Sequence, residues 1–212
     1  MHPAINLEWW NALSNEWKDI FEKNTRSNPQ QSDFFKKVAN LKKIDCGGIY
    51  SQNAPKVKIY DLEPVRNLVN LKTLICWNTE ISSLEPLREL VKLTELCCNS
   101  TQVSDLEPLQ KLINLTKFNC RYTQVSDLEP LRDKLQLKEL YCYASPVSNL
   151  EPLRELVNLK ILYFHETQVS SLAPLENLVN LTELGCIYGN SAIDKRDIES
   201  FKQKNPKCKI KL

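Results

Sequence analysis

Glycine is scarce in this chain, four residues in 212, and no glycine-rich pattern of the kind that cradles a phosphate occurs. Histidine is scarcer still, His2 and His165 alone, which leaves acid–base chemistry few candidates. His165 can be set beside Tyr143 and Glu166, but no nucleophile accompanies it, so no catalytic residue is assigned and the chain is not expected to be an enzyme. Charge of one sign is missing as well. Lys and Arg number 28 against 26 Asp and Glu, a formal +2, which argues against a surface built to neutralise nucleic-acid phosphates. No run approaches the roughly 20 consecutive apolar residues of a membrane span. The opening Met1-His2-Pro3-Ala4-Ile5-Asn6 has neither the charged nor the apolar region of a secretory leader, so a soluble, cytoplasmic protein is expected.

What the chain does have is proline at equal intervals. Pro64, Pro86, Pro108, Pro130, Pro152 and Pro174 are each 22 residues apart, inside the words LEPV, LEPL, LEPL, LEPL, LEPL and LAPL. One unit reads LxxLxCxxTxISxLEPLxxL from Leu71 to Leu90, with Leu71, Leu74, Cys76, Thr79, Ile81, Leu84, Leu87 and Leu90 in its fixed places. The next unit repeats it with Leu93, Leu96, Cys98, Thr101, Val103, Leu106, Leu109 and Leu112. A period of this length with this leucine usage marks a leucine-rich repeat. One turn has no core of its own, so the apolar columns can be buried only by coiling and stacking.

The expected architecture is α/β: a right-handed leucine-rich-repeat solenoid with a parallel sheet on its concave face and short 3₁₀ or helical turns on its convex face. Leu74 and Cys76 alternate with outward residues as a strand requires. Each proline fixes its own φ and disfavours helix at the residue before it, so a short turn should begin there. Three regions follow: a helical N-terminal cap over 1–37, repeats over 38–191, and a C-terminal cap over 192–212. The first repeat carries an insertion near 47–58, because 16 positions separate Cys46 from Leu62 where the regular unit has eight from Cys76 to Leu84.

At the N-terminus, Asn6 is placed to cap a helix carrying Leu7, Trp10, Leu13, Trp17, Ile20 and Phe21 at helical spacing. At the other end, Ile193, Ile198 and Phe201 suit a last helix, and Cys208, Ile210 and Leu212 alternate with lysines as a final strand whose charges discourage edge pairing.

The repeat word resembles the 22-residue repeat of the internalin-type bacterial leucine-rich-repeat proteins, over roughly residues 38–191. That resemblance implies a protein-binding module using the concave sheet. Two departures stand out. Cysteine replaces the usual strand leucine, and Thr79, Thr101, Thr123, Ser145 and Thr167 replace an asparagine column that would bond backbone groups of adjacent turns. A threonine hydroxyl is expected to do part of that work with fewer donors.

Cys46, Cys76, Cys98, Cys120, Cys142 and Cys186 form a ladder, with Phe164 in one of its places. A metal site needs thiolates converging on one point; a line of them reads as small apolar core residues, and no metal or cofactor is expected. Cys97 falls at an outward position and is expected to be the reactive thiol.

With the register set by the leucines, one outward column holds Ile75, Cys97, Asn119, Tyr141, Tyr163 and Gly185, and the next holds Trp77, Asn99, Arg121, Tyr143, His165 and Ile187. A flanking column adds Tyr122, Glu166 and Tyr188. Tyr, Trp and Arg are the residues enriched at binding hot spots. The expected partner-binding set is therefore Ile75, Trp77, Asn99, Asn119, Arg121, Tyr122, Tyr141, Tyr143, Tyr163, His165 and Tyr188, engaging a protein partner from a monomer. The alternatives are a nucleic-acid or glycan binder using the tyrosines as stacking platforms, and a structural or regulatory subunit with no separate ligand. The first lacks the positive groove it needs.

Overall fold

The computed structural model describes residues 4–48, 57–186 and 193–211. Most of the insertion expected near 47–58, together with Ile187, Tyr188 and Leu212, lies outside the described residues. Each repeat supplies one three-residue strand: β1 (Lys43–Asp45), β2 (Thr73–Ile75), β3 (Glu95–Cys97), β4 (Lys117–Asn119), β5 (Glu139–Tyr141), β6 (Ile161–Tyr163), β7 (Glu183–Gly185) and β8 (Lys209–Lys211). They lie in sequence order in one open parallel sheet. From β2 to β7 the register advances by one repeat at every step, so that Leu74 sits beside Leu96 and Leu96 beside Phe118. The central residue of each of these strands points inward and is buried, as are the ladder cysteines two positions on.

Opposite the sheet, six 3₁₀ segments span Glu63–Val65, Glu85–Leu87, Glu107–Leu109, Glu129–Leu131, Glu151–Leu153 and Ala173–Leu175. The expected turn begins one residue before the proline, which is the second residue of each. The missing proline N–H costs nothing there, because the first N–H groups of a helical turn have no internal partner. A short polar side chain two residues ahead caps the turn: Asp105 Oδ1 accepts from Glu107 N at 2.8 Å, Asp127 Oδ1 from Glu129 N at 2.8 Å and Asn149 Oδ1 from Glu151 N at 2.9 Å.

The threonine column behaves differently from the expectation. Thr79 Oγ1 donates to Cys76 O at 2.7 Å, Thr101 to Cys98 O at 2.6 Å and Thr167 to Phe164 O at 2.6 Å, all within one turn. The short side chain folds back across the left-handed residue before it, at φ 55° for Asn78 and 58° for Ser100. Asparagines elsewhere make the link between turns. Asn114 Nδ2 donates to Val91 O, Asn158 to Leu135 O and Asn180 to Val157 O, each at 2.8 Å. A backbone ladder on the descending side adds Gln102 N to Ile81 O and Gln124 N to Val103 O, both 2.9 Å. Pro146 takes the next place in that column and has no N–H to offer.

The N-terminal helix is two helices. Asn6 caps α1 (Leu7–Ala12) by accepting from Trp9 N at 3.0 Å, the chain is extended at Leu13, and Ser14 restarts it by capping α2 (Asn15–Thr25). The apolar spacing ran on through the break, whereas the second capping hydroxyl set the boundary. Trp10, Trp17 and Phe21, with Phe34 of α3 (Phe34–Ala39), are buried over the first turn of the solenoid. At the other end Asp194 caps α4 (Lys195–Lys204), whose Phe201 is fully buried, and β8 closes the sheet.

Candidate partner-binding surface

In-register parallel strands place equivalent side chains about 4.8 Å apart, the thickness of a ring plus contact, so outward aromatic residues in one column must stack or splay. Here they stack. Tyr141 and Tyr163 lie 5.5 Å apart at 22° between ring planes, and Tyr143 and His165 lie 4.2 Å apart at 18°. Tyr163 meets His165 edge-on at 6.1 Å and Tyr122 meets Tyr143 edge-on at 5.4 Å, which joins both stacks into one five-ring cluster. Cations border it on the N-terminal side: Lys117 Nζ lies 5.9 Å from the Tyr141 ring and the Arg121 guanidinium 5.4 Å from that of Tyr143.

Carboxylates at the first residue of the strands, two places before the Tyr141 column, aim the rings. Tyr141 donates its hydroxyl proton to Glu139 Oε2 at 3.2 Å, and Glu139 also pairs with Lys117 at 2.7 Å. Tyr163 bonds Glu183, which pairs with Lys211 at 3.2 Å. Burial, then the neighbouring Glu139, pushes the Tyr141 phenol up to about 12. Burial and the bond to Glu183 do the same for Tyr163, also to about 12. Burial holds His165 below its ordinary value, so at neutral pH it stacks as a neutral imidazole. The cluster is therefore an uncharged aromatic surface edged by Lys117 and Arg121.

Two glycines make room for this. A Cβ at Gly185 would come within 2.3 Å of Tyr163 Cδ1, and one at Gly47 within 2.7 Å of Trp77 Nε1. Each ring lies flat across the bare backbone of the neighbouring turn. Nothing in the repeat pattern pointed to this pairing, although a glycine in an outward strand place beside an aromatic residue is the signal that could have found it. The Gly185→Val variant should keep its fold and lose the Tyr141–Tyr163 stack. Tyrosine ring shifts in NMR spectra would report it, and unchanged shifts at Tyr141 and Tyr163 would refute the role of the glycine.

The expected binding residues fall on the concave face with graded exposure. Tyr122 is 39 % exposed, while Ile75, Trp77, Asn119, Arg121, Tyr141, Tyr143, Tyr163 and His165 are half-buried, because each covers its neighbours. Asn99 does not belong in the set. It is 2 % exposed, lies in its column between the larger Trp77 and Arg121, and takes a hydrogen bond from Cys97 Sγ at 2.8 Å. Tyr188 lies outside the described residues.

Cys97 is likewise half-buried, and burial raises its thiol pKa despite Arg121 and Lys117, which favours the protonated form over the reactive thiolate expected at an outward place. The ladder cysteines are buried, and desolvation pushes Cys142, for example, up to about 12. Among the described residues, no group of three or more His, Cys, Asp or Glu could hold a metal ion, and no helix is long and apolar enough to cross a membrane.

Comparison with known proteins agrees with this geometry. The family described as Leucine Rich repeats (2 copies) matches residues 69–111. No curated protein sequence matches. Among solved structures, an internalin (inlF) from Listeria monocytogenes superposes with a TM-score of 0.77 at 22% identity, covering 92% of this chain and 54% of its own. Internalin C2 (inlC2) from the same organism gives 0.75 at 24%, with 92% and 81% covered. A plant peptide hormone receptor, RGFR1, solved in complex with RGF2, gives 0.57 at 16%, with 76% and 28% covered. The chain thus spans about half the length of the inlF structure. With its 22-residue period, parallel sheet and 3₁₀ turns, the chain has the leucine-rich-repeat fold of the internalin type.

Proposed function

We propose that this chain is a non-catalytic protein-interaction module that seats its partner on the concave sheet, over the cluster formed by Tyr122, Tyr141, Tyr143, Tyr163 and His165. The observation that carries the reading is the fusion of two ring stacks into one five-ring surface on the outward face of the sheet. Aromatic side chains held by stacking and by carboxylate bonds lose little rotamer freedom when a partner covers them, which favours affinity. Solenoids of this kind offer extended concave binding surfaces, and the RGFR1 neighbour is solved in complex with RGF2. Against a nucleic-acid ligand, Lys117 is already paired with Glu139, and Glu95 and Glu183 share the face.

The test is affinity capture from the source lysate read by mass spectrometry, comparing wild type with a Tyr141→Ser, Tyr143→Ser, Tyr163→Ser variant shown by circular dichroism to be folded. One protein captured by wild type and lost from the variant is the expected result. Equal capture by both would overturn the concave reading.

A further inference from the structure

A second surface owes nothing to the aromatic cluster. Val69, Val91, Ile113, Leu135, Val157 and Val179 occupy one repeat position in six successive turns, and they are 52, 44, 56, 52, 46 and 67 % exposed. A solvent-facing column with no core to cover would ordinarily be polar; this one is aliphatic without exception. At the spacing of stacked strands, close to 5 Å, six such side chains make a continuous ridge about 24 Å long. It is also stiff. The carbonyls of Val91, Leu135 and Val157 are each held at 2.8 Å by an asparagine amide of the next turn. A contiguous apolar strip with polar borders marks a docking surface.

We propose that a second copy of this chain covers the ridge, the two solenoids lying side by side and pointing the same way about a two-fold axis parallel to it. The period argues for a copy, since a strip repeating every turn is matched turn for turn by another strip of the same period. Charge sets the direction. The column two residues before the ridge carries Glu89, Asp133 and Glu155, and the column three residues after it carries Lys72, Lys138 and Lys160, all exposed. Lys111 is the exception on the acidic side, where it pairs with Glu89 at 2.6 Å. An axis along the ridge lays the acidic column of each copy over the basic column of the other, Glu155 toward Lys160 and Asp133 toward Lys138. An antiparallel pair would instead set acid on acid. Three columns of six residues approach the roughly 20 residues that each partner gives to a stable interface. This arrangement takes the place of the monomer expected from the sequence, and it leaves both concave faces open.

Light scattering behind size-exclusion chromatography of the full chain, over a concentration series, is expected to show twice the chain mass. The Ile113→Glu, Leu135→Glu double variant should weaken association by about 100-fold or more while leaving the far-ultraviolet spectrum unchanged. Glu155→Lys should weaken it too, and adding Lys160→Glu in the same chain should restore it. A wild type that stays monomeric at about 100 µM, well above the range of specific complexes, overturns the proposal, as does a double variant that remains dimeric. Direction is read separately. Val179→Cys should cross-link to itself on oxidation, with wild type as the control for its own thiols, whereas cross-linking only between Val179→Cys and Val69→Cys chains would refute the parallel arrangement.

Discussion

Truncating Phe118 to alanine is expected to cost about 3 to 5 kcal/mol, a large part of the roughly 5 to 15 kcal/mol that holds a domain of this kind together. Phe118 is the central residue of β4, fully buried, with Leu96 on one side and Leu140 on the other in strict register. It is the one aromatic residue in a column of aliphatic ones, and the in-register pairing of β4 with β3 and β5 holds the backbone that would have to shift to fill the gap. The cavity would persist, and persistence is what makes large-to-small changes expensive. Because each repeat contacts only its neighbours, the damage should also uncouple the two halves of the stack. Urea unfolding should therefore show a lower midpoint and a broadened or split transition. A loss under about 1 kcal/mol would mean that the stack relaxes around the gap.

Lys134→Leu is expected to do the reverse, stabilising the protein by about 1 to 3 kcal/mol. Lys134 stands where Leu68, Leu90, Leu112, Leu156 and Leu178 stand in the other repeats, and it is fully buried. Its ammonium donates to the carbonyl of Gln110 at 2.7 Å, which satisfies one of three N–H groups. Burial lowers its pKa from 10.5, with Asp133 working weakly against the shift. The sign follows from linkage. Below the lowered folded-state value both states are protonated and the full cost of burying the charge is present. As pH rises from there to 10.5 the unfolded chain holds more protons, so stability rises through that window and the cost is relieved. The leucine variant should lack that rise. Matched thermal melts of the two proteins from neutral to alkaline pH separate this group from tyrosines and cysteines common to both, and parallel curves would show that Lys134 keeps its charge at no cost.

Lys134 also shows how the repeat can be read too coarsely. Alignment of LRDKLQL with LRELVNL exposes the substitution at once, yet a lysine in an otherwise regular word passes for surface until its burial is seen. The ridge from Val69 to Val179 is legible in the same alignment, but aliphatic residues next to core leucines read as more core until their exposure is seen. The threonine column misled in another way. Its spacing suggests a ladder between turns, while its hydroxyls bond the carbonyl three residues back; the threonine hydroxyls that do reach the preceding turn, those of Thr94, Thr116 and Thr182, stand in another column.

The sequence by itself determined the stacking order, the in-register sheet, the inward columns and the 3₁₀ turns at the six prolines spaced 22 residues apart. A strict 22-residue period leaves one way to bury so many equivalent side chains, and proline acts on its own φ and on the residue before it whatever surrounds it. Only the tertiary structure decided what the outward residues became. Register placed Tyr141 beside Tyr163, but the tilt of each ring depended on a carboxylate in another column and on the bare backbone of Gly185 one turn away. The break at Leu13 and the burial of Asn99 were settled in the same manner. Burial periodicity is a one-dimensional property that a chain carries in its order, whereas stacking, tilt and cover depend on which side chains from neighbouring turns compete for the same few ångströms.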